Sequence, residues 1–450
     1  MVTRKEAEQI AIEKAGITEE ELKGITKTIN RYYGKKDLVK QVLDIQPFHF
    51  DESKLWWYWN KEEFCWKLTD ETNIINIISI LAEDINTINS KERGELLEAL
   101  RQEARLRKPQ DIKKTWVQFK DEIIDVKTGE VFKAEPKWFV TNPIPWRMHQ
   151  ERFLLTPNMD KLFEEWVGKD YVPLLYEIIA YCLLPDYPIH RLFCFIGGGL
   201  NGKSCYHRLI EKFIGCNNLC TTELDTLMSS RFEITRLHKK LVCLMGETNF
   251  NEMSQTSKLK KLTGQDLIGM EYKNKNPFED RNYAKILIST NNLPETTDKT
   301  TGFYRRWCII DFPNQFNEEK DILDSIPDEE YEILALKCTG ILHDLLKKRK
   351  FTNEGSIEDR TKKYEDKSNP FDKFIKECCN NEDPNTFIWK FEFEKRFNQW
   401  CKDNRFREFS EMAIGIKLKE RGFSTGRRTT NFLIAGENKF IRTWEGLKWK

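Results

Sequence analysis

The sequence predicts an α/β protein with a parallel sheet at its centre, and three observations carry that reading. Leu192 to Ile196 is a short, continuous apolar run, followed at once by three glycines and a stretch able to run as a helix. Three more such runs come later, separated by helical patterns: Lys239 to Gly246, which reaches Glu247, then Ala284 to Asn291, and Trp307 to Phe312. Strands buried on both faces of a parallel sheet are apolar throughout in this way. The polar residues of these runs fall at strand ends, which is where open sheets of this kind bind ligands.

The loop after the first strand reads GGGLNGKS over residues 197–204. Gly197, Gly202, Lys203 and Ser204 fit the G-x-x-x-x-G-K-[ST] phosphate loop in its required setting, strand before and helix after. Glycine suits the sharp curl that turns successive backbone N–H groups toward phosphate oxygens. The helix N-terminus adds partial positive charge. Gly197, Gly198, Gly199, Leu200, Asn201, Gly202, Lys203, Ser204 and Cys205 are therefore expected to surround a nucleotide, ATP, with Lys203 on the β- and γ-phosphates and Ser204 on Mg²⁺. Glu247 is placed to contact the metal shell or to polarise the attacking water. With Gly246 before it, a single acid stands there, and the two roles stay open. Asn291 is placed to orient the water or sense the γ-phosphate. Arg305 and Arg306, just outside the fourth strand, can supply a cation to a neighbouring subunit's site.

Composition bounds the partners. The chain has 450 residues, room for two or three domains. Its 73 basic and 72 acidic residues nearly cancel, so any nucleic-acid surface must be local. No apolar run approaches the ~20 residues of a membrane span, and the charged N-terminus lacks the apolar core of a signal peptide. The 12 cysteines sit mostly in apolar runs without a CxxC pair, which reads as reduced buried thiols and not as zinc ligands. A cytoplasmic protein is expected.

The rest of the chain reads in order as follows. Residues 1 to about 45 suggest short charged helices without assignable chemistry. Leu55 to Trp59 and Phe64 to Trp66 alternate like a hairpin, whose aromatics suit either a small core or a base-stacking platform. Helical spacing follows over 70–108. Trp116 to Val126 and Val131-Phe132 read as a second strand pair turning at Lys127-Thr128-Gly129, and a prolyl connector places a domain boundary near 150, giving an α+β N-terminal region over 1–150. Two helices over 160–186 lead into the central domain, 151–350, whose last helix carries Leu334, Cys338, Ile341 and Leu345 as an apolar stripe. Residues 351–369 read as a polar linker. Residues 370–450 suggest helices at 371–379, 391–402 and 410–421, then strands at Asn431–Ile434 and Phe440–Trp444. Over 371–450 there are 17 Lys+Arg against 12 Asp+Glu, a balance of +5. Helices followed by a two-stranded wing with basic Arg427 and Arg428 suggest a winged-helix-like DNA-binding domain.

With these residues in place, the chain resembles the superfamily 3 helicases, in particular the helicase portion of phage, plasmid and poxvirus-type primase-helicases. GGGLNGKS, SRFEITRLHKKLVCLMGE, LKKLTGQD, MEYKNKNPF, AKILISTNNLP and TTGFYRRWCIIDFP match that family's motifs in order and spacing over about 190–315. The resemblance extends more loosely over 50–190 and 370–450. It implies an AAA+-like domain assembled into a homo-oligomeric ring, usually a hexamer, with central hairpins on one DNA strand. By motif, Glu247 becomes the second-motif acid, Asn291 the sensor, Arg306 the arginine finger with Arg305 as its alternate, and Lys273 and Lys275 part of the pore hairpin. Lysines on a hairpin also suit phosphate contacts that read no sequence.

The sequence departs from the family in two places. PheLysAspGluIleIleAspVal (119–126) stands where the family often has an Asn-Gly turn, and the first 150 residues hold no D-x-D pair of a primase. The expectation is an ATP-dependent DNA helicase or translocase for replication of a viral, plasmid or integrated element. It would act on single-stranded and forked duplex DNA, with any primase or polymerase as a separate partner. An ATP-switched initiator or loader, and an RNA helicase or packaging motor, are the alternatives.

Overall fold

The structure, a computed structural model, describes residues 36–81, 90–148, 155–246, 252–253, 256–273, 275–317, 322–381, 383–404, 406, 408–429 and 440–450. The chain forms two compact units, residues 1–144 with 271–278, and residues 145–270 with 279–450.

In the first unit, residues 36–45 are helical. A three-stranded antiparallel sheet follows, of β1 (Phe48–Phe50), β2 (Trp56–Asn60) and β3 (Cys65–Thr69) in order β1-β2-β3. Helices α1 (Glu71–Leu81) and α2 (Ser90–Leu106) come next. A second sheet holds β4 (Trp116–Phe119), β5 (Glu122–Asp125), β6 (Val131–Lys133) and β7 (Pro143–Ile144), ordered β6-β5-β4-β7. The pleat of β2 decides the fate of its aromatics, because successive side chains leave on opposite faces. Trp56 joins a core with Leu43, Ile74, Ile78 and Leu100. Trp57 and Trp59 join Trp66, Trp116 and Ile123 in another. All four tryptophans of the hairpin, Trp56, Trp57, Trp59 and Trp66, are at most 5% exposed. The hairpin is a core and offers no stacking platform.

Trp116 to Val126, expected as one strand, is itself a hairpin. Lys120, at φ 46°, turns the chain, and Trp116 pairs with Asp125. The turn escapes sequence reading because Lys-Asp lacks the glycine or asparagine that such backbone usually demands.

The second unit is organised by a five-stranded sheet. Helices α3 (Pro157–Val167) and α4 (Val172–Cys182) precede β8 (Leu192–Ile196), which runs through the glycine loop into α5 (Lys203–Ile214). Then come β9 (Leu219–Thr221), α6 (Leu224–Ser229), β10 (Val242–Met245) and β11 (Glu252–Met253). Helix α7 (Thr256–Leu262) leads into β12 (Leu267–Met270) and β13 (Phe278–Arg281), a two-stranded hairpin. β14 (Lys285–Thr290), β15 (Glu295–Thr296), α8 (Thr301–Tyr304) and β16 (Trp307–Asp311) complete the core. The sheet order is β16-β8-β14-β10-β9, every pair parallel. The four predicted strands are all present, and β9, only three residues long, is the one sequence reading passes over.

Helix α9 (Asp328–Lys348) packs on α4, whose residues from Leu174 to Cys182 are all buried. Its Glu330 reaches the N-terminus of α3, accepting from Asn158 N at 3.1 Å and Met159 N at 3.2 Å, as an anion at a helix N-terminus should. Leu334, Cys338 and Leu345 are buried as expected, with Leu342 in the core in place of Ile341.

The stretch read as a linker is instead largely a helix. α10 (Ile357–Ser368) starts with a capping box between Ser356 and Asp359. Its Tyr364 is fully buried and donates to Pro294 O at 2.8 Å, while Lys363 and Lys367 reach Asp311 at 2.8 and 2.9 Å. Only Arg360 and Tyr364 of this helix are buried, so its sequence looks polar throughout.

The C-terminal segment contains α11 (Pro370–Cys378), β17 (Cys379–Asn380), β18 (Phe387–Trp389), α12 (Lys390–Asp403), α13 (Glu411–Glu420), β19 (Thr425–Thr429), β20 (Phe440–Glu445) and β21 (Lys448–Trp449). Three strands, β18-β20-β19, form an antiparallel sheet over a core of Phe371, Phe374, Phe397, Leu418 and Trp444. The expected strand at 431–434 lies outside the described residues; β20's partner on that side is β19.

Candidate functional site

Two glycines of the loop, Gly197 and Gly202, stand in close contacts that permit no side chain. A Cβ at Gly197 would meet Asn201 Nδ2 at 1.7 Å and Phe312 O at 2.7 Å. Gly202, at φ 90°, would drive one into Trp166 at 2.4 Å. Gly199 and Leu200 also lie in the left-handed region, at φ 92° and 48°. The loop thus curls tightly between β8 and α5, held by Asn201 Nδ2 on Phe312 O at 3.4 Å and by Phe316 N on Leu200 O at 2.7 Å.

Lys203 opens α5 and is 6% exposed. Its ammonium turns back across the loop, donating to Gly197 O and, at 3.1 Å, to Asn201 Oδ1. Ser204 is exposed beside it, Gly198 is half-buried, and so is Cys205. Behind the loop, His207 lies 3.2 Å from Ser289 Oγ. Burial, reinforced by the Lys203 charge, lowers the imidazole to about 4, so it is neutral at physiological pH.

Strand register decides what stands next to the loop. Gly197 N donates to Thr290 O at 3.4 Å, and Phe312 N to Ile196 O at 2.8 Å. Asn291, next after Thr290, is therefore beside the loop's first glycine. β10 lies beyond β14 and ends at Met245, opposite Ile288, so it runs to the same edge. Glu247 itself lies outside the described residues. On the other flank Asp311 stands opposite Ile196. Burial would raise its carboxyl, but Lys363 and Lys367 outweigh that and hold it below its ordinary value. Asp311 and His207 escape sequence reading; their one signal is position, at a strand end and one turn into the helix.

The two arginines separate. Arg306 is 7% exposed and spent inside its own chain: Nε donates to Thr263 Oγ1 at 2.9 Å, and its Nη atoms to Gly302 O and, at 3.2 Å, Lys260 O. Burial and the neighbouring Arg305 charge lower its guanidinium below the ordinary value. Arg305 is exposed. Arg306, expected as the residue delivered outward, is thus held within its own chain in this structure, and Arg305 is the arginine that faces out.

Lys273 and Lys275 are exposed in the turn between β12 and β13. At the base, Asp280 of β13 receives His238 at 3.4 Å and Lys239 at 3.1 Å. Arg427 and Arg428 are exposed neighbours on β19, and Arg428 pairs with Glu445 at 2.7 Å. Among the described residues no group of three or more His, Cys, Asp or Glu could hold a metal ion. No helix among them is long and apolar enough to cross a membrane.

Fold and site together define a mixed α/β protein with a five-stranded parallel sheet and a glycine loop at its carboxyl edge. A family of unknown function, DUF5906, matches residues 195–306, the span from the loop's strand to the second arginine. Among solved structures, the A-form apo structure of the NrS-1 C-terminal region is similar over 91% of this chain and 98% of that one, at 13% identity and a TM-score of 0.50. An apo structure of the same region has the same coverage and identity at a TM-score of 0.48. The likeness to the first is one of fold.

Proposed function

We propose that the chain is an ATP-hydrolysing DNA helicase or translocase that works as a ring, with each active site completed by the next subunit. One observation carries the reading: glycine loop and Arg305 lie at opposite edges of the same parallel sheet. The loop follows the carboxyl end of β8, and Arg305 precedes the amino end of the adjacent β16. Five strand residues at about 3.3 Å each separate the edges by about 16 Å. An arginine there serves a second copy better than its own loop.

The residues suit MgATP. Backbone amides of the curled loop and the N-terminus of α5 would hold the phosphates, Lys203 would exchange Gly197 O and Asn201 for phosphate oxygens, and Ser204 is exposed where the metal would sit. Bound nucleotide supplies a labile phosphoanhydride. The chain's part is to orient a water with Asn291 and Glu247 and to answer developing charge with Arg305 of the neighbour. The motif order from GGGLNGKS to TTGFYRRWCIIDFP supports a superfamily 3 helicase, and Lys273 and Lys275 are the proposed contacts to a single strand. A homo-hexamer acting on forked duplex DNA, with primase or polymerase as separate partners, follows from the same reading.

Mixing inactive variants tests it. Lys203→Ala and Arg305→Ala subunits, each inactive alone, are expected to regain part of the ATPase activity when mixed, because one supplies the arginine and the other the loop. No recovery from folded, co-assembled variants rejects completion in trans. Strand displacement on a fork then separates a helicase from a loader that only binds.

A further inference from the structure

Arg427 and Arg428 are adjacent on β19, and the pleat sends them to opposite faces. On one face Arg428 is fully answered. Its Nη2 meets Glu445 Oε2 at 2.7 Å, and its guanidinium lies 4.4 Å over the Phe387 ring. Gly426 makes room for this pair, since a Cβ there would meet Glu445 Oε1 at 2.2 Å.

The other face has no such pair among the described residues. Arg427 stands directly opposite Arg442 in the β19–β20 register, an arrangement of like charges that destabilises a sheet. Trp444, two residues along on the same face, carries Lys390 Nζ 4.2 Å above its ring. Burial lowers the Lys390 ammonium, and the Arg442 and Lys419 charges lower it further against a weaker pull from Glu411. None of Arg427, Arg442, Lys390 and Lys419 forms an ion pair with a carboxylate among the described residues. At the open end of the face Phe440 is 74% exposed.

Gathering four cations that no carboxylate pairs among the described residues costs folding free energy that an external anion can recover. We infer that the Arg427–Arg442 face of the C-terminal segment, with Lys390 and Lys419, binds the phosphodiester backbone of DNA, and that Arg428 is a structural partner of Glu445. The inference rests on the DNA-acting function above and assigns it a second contact surface, apart from Lys273 and Lys275. Guanidinium forks match phosphate oxygens, lysines add point charge, and Phe440 offers an apolar contact to sugar or base. Such contacts hold backbone and read no sequence.

The test is fluorescence anisotropy of labelled duplex and single-stranded DNA with the full chain, without nucleotide, across salt concentrations. Arg427→Ala combined with Arg442→Ala is expected to weaken binding about tenfold or more on at least one of the two DNAs, and to reduce the salt slope by about two. Lys390→Glu should weaken it similarly, while Arg428→Ala leaves affinity unchanged and lowers Tm. The double variant removes opposed charges, so its Tm should be no lower than that of the parent. A double variant that binds as tightly as the parent, with the same slope on both DNAs, overturns the inference and leaves the helicase reading standing. Failure of the unaltered chain to bind either DNA removes both.

Discussion

At Gly202 a positive φ and the Trp166 ring act together, and neither tolerates a Cβ. Gly202→Ala is expected to destabilise the protein by about 1–3 kcal/mol and to abolish nucleotide binding, measured by thermal melting and by titration with a fluorescent ATP analogue. Retained binding would show that the loop's curl is not what holds phosphate. Arg305 and Arg306 should part in a similar assay. Arg305→Ala keeps the melting temperature and nucleotide binding but loses hydrolysis, whereas Arg306→Ala removes the donor to the Gly302 and Lys260 carbonyls and to the Thr263 hydroxyl, which still donates to Leu259 O, and costs about 1–3 kcal/mol. Equal stability of the two variants would return the outward role to Arg306. His207, lowered to about 4 by burial and Lys203, carries a pH signature. The unfolded chain takes its proton near pH 6.5 and the folded one only near 4. Stability therefore falls as pH drops through that window, by at most about 1.4 kcal/mol per unit. His207→Gln should flatten this part of a pH–stability curve.

Between residues and fold stands the link between α7, which leads into the lysine hairpin, and α8, which precedes the arginines. Asp298 ties them, accepting from Thr256, from Lys260 at 2.5 Å and from Thr300 at 2.6 Å. Burial pushes its carboxyl up, but Lys260 and the two hydroxyls win and hold it well below the ordinary carboxylate range. The sign follows: its contribution is complete above pH of about 4 and is lost as acid protonates it. Asp298→Asn should lower stability at pH 7 and reduce the loss on acidification. Arg306 adds the second tie, because its side chain ends on the carboxyl end of α7. Movement of the arginine segment should thus reach the hairpin, and Asp298→Asn is expected to weaken DNA stimulation of ATPase more than basal activity; equal loss of both would deny the coupling.

Across the whole molecule, the strand order puts loop and arginine at opposite sheet edges, so on the proposed reading a monomer holds half a site. Particle mass with ATP and single-stranded DNA should report a ring, six-fold on the family resemblance, and a strictly monomeric protein with full activity would reject the scheme. Much of this was legible in advance. Four apolar runs announced a parallel sheet, and the glycines announced a tightly curled loop, because buried strands and sharply turned backbone each demand residue types that few other settings accept. Short-range patterns of this kind are written locally. The rest depended on neighbours distant in sequence. The aromatics of β2 could have faced solvent or core until two cores closed on them from either side. The polar run before residue 369 became a helix because Tyr364 and two lysines found Pro294 and Asp311. Two adjacent arginines, equal as letters, became one buried brace and one exposed cation, and two others were divided by a strand's pleat. Sequence alone determined which chemical groups the protein owns and which local elements carry them. Tertiary structure decided which groups are already satisfied within the chain, since burial and pairing are set by what packs against a side chain, not by its neighbours in sequence.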